Sequence, residues 1–159
     1  MDIKLNGKPT TPTKQSLSIK MFLKGIGLKS HPRFLKFTKI SENYLPNFCL
    51  SNCELENSIS KSPILYGWTI WEDKQNRFIE AEFHAVVLIS GELTDITPRV
   101  DGEEKILWVH DPQRKAVRVS DTTWDTWTNF KSYHGKIIQY SAQALFVNET
   151  KNHPTIGST

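Results

Sequence analysis

Residues 64–97 constrain the fold more than any other stretch of this chain. Ile64 to Glu72 (ILYGWTIWE) and Phe78 to Ile89 (FIEAEFHAVVLI) are dense in aromatic and β-branched side chains, and a polar gap from Asp73 to Arg77 separates them. Ser90–Gly91 then supplies a turn, and Glu92 to Thr97 (ELTDIT) runs back until Pro98 stops it. Such side chains suit a pleated, half-buried surface, and connections this short join antiparallel neighbours. The expected centre is an antiparallel meander.

Alternation along the second run puts Ala81, Phe83 and Ala85 on one face, and Glu80, Glu82 and His84 on the other. A two-residue turn at Ser90–Gly91 sets Asp95 opposite Val86, a diagonal neighbour of His84 on the same face. A one-residue slip would send the carboxylate to the far side of the sheet.

Upstream, Cys49 to Lys61 (CLSNCELENSISK) is helix-compatible and ends at Ser62–Pro63, because a residue before proline avoids the helical region. The Pro46–Asn47 loop brings Cys49 to the helix start, where unpaired N–H groups and the helix dipole favour a thiolate. Cys49, His84 and Asp95 are therefore candidates for nucleophile, base and orienting carboxylate. Cys53 competes as nucleophile, and Glu82 competes with Asp95 for the imidazole. Asn52 is a candidate donor to a developing oxyanion. Trp68, Trp71 and Glu82 are candidates to contact substrate. Each has a plainer alternative: a small buried cysteine, a turn-forming aspartate, or core tryptophans.

Outside this block, Lys14 to Leu28 carries an amphipathic helix signal that Gly25 and Gly27 end, and Arg33 to Ser41 (RFLKFTKIS) reads as a strand. Ile106–Val109 and Ala116–Val119 are expected strands. Asp121 to Phe130 spaces Trp124, Trp127 and Phe130 as a helix would, and the C-terminal half of Lys136–Val147 is also expected to be helical. Residues 1–13 are expected to form a flexible arm, 14–147 a single α+β domain with an N-terminal Cys-bearing helix on an antiparallel sheet, and 148–159 a disordered tail.

A chain of 159 residues can bury one core without staples. Two cysteines are too few for a disulfide framework, and no paired ligand spacing calls for a metal or other cofactor. The longest uncharged apolar run, Ala85 to Ser90, is far too short to span a bilayer, and no secretory leader is visible. The cytoplasm is the expected location. The net charge of +3 divides unevenly, with nine Lys/Arg against two acids in residues 1–48 and eleven against fifteen in residues 49–159. The basic residues are spread rather than clustered, which disfavours nucleic acid as a partner.

A Cys-bearing helix followed by strands bearing His and then Asp resembles the papain-like superfamily, closest to its transglutaminase-like and NlpC-type members. The likeness spans residues 46–98 and rests on Cys49, Phe83–His84–Ala85 and Leu93–Thr94–Asp95–Ile96–Thr97–Pro98. Cys49-x-x-Asn52, Gly67–Trp68, Glu80–Ala81–Glu82–Phe83–His84–Ala85–Val86 and Asp95–Ile96–Thr97–Pro98 also resemble a group of small bacterial and phage proteins without a settled activity. The superfamily resemblance implies attack of Cys49 on an amide of a protein or peptide, with a thioester intermediate that water or an amine resolves. The His-to-Asp spacing of 11 is short for that superfamily, and no glutamine upstream of Cys49 matches its oxyanion donor. Two other classes stay open: a non-catalytic phage or bacterial inhibitor that binds a host protein on the same scaffold, and, least favoured, a nucleic-acid-binding module.

Overall fold

Ser16 caps the first helix, α1 (Leu17–Gly25), its hydroxyl oxygen accepting the Ile19 N–H at 3.3 Å, and Ile19, Phe22 and Leu23 form the buried stripe. The computed structural model describes residue 5 and residues 7–149. After β1 (Arg33–Lys36), α2 (Cys49–Ser60) closes at Lys61, whose left-handed φ of 61° precedes Ser62–Pro63. The aromatic runs then form β2 (Ile64–Asp73) and β3 (Phe78–Ile89), paired antiparallel over their full length. There follow β4 (Glu92–Thr94), β5 (Lys105–His110), β6 (Val117–Arg118), β7 (Thr123–Trp127), β8 (Phe130–Tyr133), β9 (Lys136–Gln139) and β10 (Gln143–Asn148).

The larger sheet has the order β1-β5-β2-β3-β8-β9, with β4 also beside β3, and β10-β7-β6 make a smaller one. All these strand pairs are antiparallel. The main core joins Trp68, Ile70, Phe83, Ala85 and Val87 of the sheet to Ile19 and Phe22 of α1 and Leu50 and Cys53 of α2. Leu35, Val86, Ile106 and Trp108 form a second, smaller cluster. The chain is a small α+β domain with two helices, among the described residues, and a mostly antiparallel sheet. The Cys49 helix is the second of the two rather than the N-terminal one.

Four expectations need correction. Residues 121–130 are β7 and the start of β8, not a helix: Trp124 and Thr126 point inward while their neighbours are partly exposed, a period of two. Residues 136–147 hold β9 and β10, not a helix. His134 (φ 52°) and Gly135 (φ 81°) make the tight turn that folds β9 onto β8, and β7 gives β10 its backbone partners. The arm is tied down within its described part, since Thr10 and Glu72 exchange both backbone hydrogen bonds at 2.9 Å and Pro12 is buried. The expected tail begins too early: Asn148 pairs with Thr123, and Glu149 is buried against α2. Residues 1–4, 6 and 150–159 lie outside the described residues.

Candidate active site

Ser90 (φ 50°) and Gly91 (φ 81°) both adopt the left-handed conformation that a two-residue hairpin turn requires. The turn fixes Val87 opposite Thr94, one residue before Asp95, whose backbone then bridges Phe37. His84 and Asp95 consequently share a face, and His84 Nε2–H donates to Asp95 Oδ1 at 2.9 Å. An ionised carboxylate only accepts, so Nε2 carries the hydrogen and Nδ1 keeps its lone pair in the neutral ring. That tautomer leaves Nδ1 able to take a proton.

Both groups are buried, His84 to 3% exposure and Asp95 to 0%. Burial works to raise the Asp95 pKa, but the His84 ring, the Arg99 charge and the Thr97 N–H outweigh it and hold the carboxyl below its ordinary range. A carboxylate lowered in this way stabilises the fold above its unfolded pKa, and that contribution is lost as pH falls through the lowered value. Asp95→Ala should cost about 2 kcal/mol at neutral pH by leaving a buried imidazole N–H unpaired. Urea titrations should show the gap from wild type narrowing below about pH 4.

The main chain of His84 is anchored separately. The Trp108 ring crosses β2 over Gly67 and donates its indole N–H to the His84 carbonyl at 3.0 Å. A Cβ on Gly67 would stand 2.2 Å from the Val109 carbonyl oxygen and 2.5 Å from that ring. The glycine of the Gly67–Trp68 pair thus has a physical reason: only glycine lets the Trp108 indole pass.

Cys49 reaches the site through a gap in the sheet. The edge of β3 away from β2 pairs with β8 at Phe78–Ala81 and with β4 at Val87–Ile89, which leaves residues 82–86 without a strand partner on that edge among the described residues. The first turn of α2 lies at that opening, and the Ala85 N–H faces the Cys49 sulfur. Cys49 and His84 both line a cleft of about 450 Å³, together with Trp71, Glu82, Arg99 and Glu149. No hydrogen bond joins the thiol to the ring among the described residues. Cys49 and His84 therefore line one cavity, and Asp95, which does not line it, is reached through its hydrogen bond to the imidazole.

The sulfur is not the stabilised thiolate expected at a helix start. Burial pushes the Cys49 thiol well up, and the negative charge of Glu149 adds to the rise, while the Ala85 N–H and Arg99 oppose it. Glu149 Oε1 accepts the Ser51 N–H at 2.8 Å, so this carboxylate already sits on the helix end. Nothing in the sequence pointed to Glu149 or Arg99. Both lie in segments that look like loop or tail, and only β10 and the turn after β4 bring them in.

Three sequence candidates fall elsewhere. Asn52 is fully buried and acts as a clip, accepting the Leu45 N–H at 3.2 Å and donating to Leu45 O at 2.9 Å and Thr97 Oγ1 at 3.0 Å. It holds α2 to the loops before Cys49 and after Asp95, not to the cleft. Asn52→Ala should lower unfolding stability by about 2 kcal/mol, since it strands buried polar partners; a chemical melt would register this. Trp68 is a core residue, packed edge-on against Phe83 and donating to Asp111 Oδ2 at 2.9 Å, and it does not line the cleft. Cys53 is also core, with its thiol pushed up by burial, so Cys49 is the cysteine that faces the cleft. Trp71 and Glu82 do line it.

Among the described residues, no group of three or more His, Cys, Asp or Glu side chains could hold a metal ion, and no helix is long and apolar enough to cross a membrane. No family model matches the chain, and neither the curated proteins nor the solved structures contain a match to it.

Proposed function

We propose that the protein is a cysteine-dependent acyl-transfer enzyme of papain-like layout, acting on an amide of a protein or peptide. The observation that carries this reading is the buried His84–Asp95 pair, which turns the free Nδ1 lone pair into use beside the cleft that Cys49 also lines. In the reaction, His84 Nδ1 takes the Cys49 thiol proton as sulfur bonds to the carbonyl carbon. The C–N bond then breaks, the leaving amine receives that proton from the imidazolium, and an acyl thioester stays on Cys49. Water or a second amine attacks the thioester, losing its proton to His84, and the thiol is restored. Asp95 keeps the ring in the required tautomer and stabilises its cationic form. Because burial holds the thiol protonated, proton removal by His84 during attack fits this site better than a preformed ion pair.

The direct test uses p-nitrophenyl acetate, whose acetyl group would transfer to sulfur with release of nitrophenolate. Intact-mass spectrometry and peptide mapping should find one acetyl group on Cys49 in the wild type and none in Cys49→Ala. Acetylation that ignores Cys49 would sink the reading and favour the non-catalytic binding protein. A peptide library cut or deamidated by the wild type, and untouched by Cys49→Ala, would define the amide.

A further inference from the structure

We propose that Glu149 is an internal gate on Cys49: the carboxylate that β10 delivers onto the first turn of α2 keeps the sulfur a thiol until that charge is neutralised or withdrawn. This rests on Cys49 being the nucleophile, as argued above. The seat is built from several elements. The Ser51 N–H donates to Glu149 Oε1 at 2.8 Å, and the Leu50 N–H and the Ser51 hydroxyl also donate to the carboxylate. The Ser51 oxygen is itself held by the Trp124 indole N–H at 3.0 Å and by Arg118 at 3.3 Å. Glu149 is only 5% exposed, so this is a packed contact and not a passing one.

A helix start offers a few unpaired N–H groups and roughly half a positive charge, enough to favour one anion rather than two. Cys49 and Glu149 both border the cleft at this end. The surrounding charges do not supply a second counter-ion. Arg118 on β6 is already paired with Glu54 of α2 at 2.8 and 2.9 Å, and Arg99 lies beside Asp95. Glu82 on β3 adds a further negative charge to the cleft. Whichever of the two groups ionises raises the cost for the other.

Burial, against the opposing Ser51 and Leu50 hydrogen bonds and the Arg118 charge, raises Glu149 from its ordinary 4.5 to about 7. An acid raised on folding stabilises the fold fully below its unfolded pKa and loses that contribution as pH climbs through the folded value. Glu149→Gln, which keeps the accepting oxygen and removes the charge, should therefore melt above the wild type at pH 8 and level with it at pH 4.

Iodoacetamide labelling, located by peptide mass at Cys49 and Cys53 between pH 5 and 9, tests the gate. Glu149→Gln should label Cys49 about tenfold faster at pH 9, the equivalent of one pKa unit, and no more than about twofold faster at pH 7, where Glu149 is half protonated, with Cys53 still protected. An unchanged Cys49 profile, or both cysteines accelerating together as in a frayed helix, overturns the proposal. If Glu149→Gln does not fold, Glu149→Asp withdraws the carboxylate by one methylene and should also accelerate Cys49 alone; no acceleration overturns the proposal. Adding His84→Ala separates the two claims. A gate without a His84 base gives a Glu149→Gln shift and an acylation rate indifferent to His84. A base without a gate gives the reverse.

Discussion

Gly67→Ala should be among the most destabilising single substitutions in this protein, costing about 3 kcal/mol or more, because overpacking here cannot be relieved by rotating a side chain. The added methyl would meet the Val109 backbone oxygen at 2.2 Å and the buried Trp108 ring at 2.5 Å. One of these must move. Shifting the carbonyl breaks the β2–β5 ladder, while shifting the ring breaks the indole hydrogen bond to His84 O. The fold and the His84 backbone therefore depend on the same missing side chain. Denaturant unfolding measures the first effect. Loss of acylation in the folded fraction, beyond what the unfolded population explains, measures the second.

His84→Ala should destabilise the fold by about 2 kcal/mol or more, because it strands the buried Asp95 carboxylate, and should lower Cys49 acylation by p-nitrophenyl acetate in the folded fraction about 10²–10⁴-fold, the usual contribution of a positioned general base. The expectation is large because the site does little else to make a thiolate. The Cys49 thiol is desolvated, and the helix end that would favour its anion already carries Glu149. Proton removal must then fall to the imidazole. Stopped-flow nitrophenolate release under single-turnover conditions reads the effect, and a rate within threefold of wild type would remove His84 from the chemistry.

The part of this protein that sequence reveals best is the part governed by local rules. Alternation in FIEAEFHAVVLI and the Ser90–Gly91 turn specified the register that sets Asp95 beside His84, since a hairpin leaves little freedom once its turn is known. The boundaries of α2 were legible for the same reason, with Pro63 enforcing its end. Residues 121–147 were not. Trp124, Trp127 and Phe130 satisfy a helical spacing, yet their backbone partners come from β6, β10 and β3, which no local pattern discloses. Asn52 and Trp68 belong to the core and not the cleft, because a polar amide and an indole serve either equally well. Their partners, Thr97 and Asp111, lie 45 and 43 residues away. Glu149 was hidden for the opposite reason, a tail residue drawn in by a strand pairing 98 residues from Ser51.

The pH dependence of Cys49 acylation in the wild type and in His84→Ala tests the account's core most directly. Wild type should acylate already at neutral pH and depend on pH less steeply than the variant, because the imidazole supplies the base. The variant should instead climb about tenfold per pH unit through pH 9, tracking the small thiolate fraction of a half-buried thiol whose pKa desolvation raises. Superimposable profiles would contradict the account, for they would mean that the sulfur and the ring share a cavity without sharing a proton.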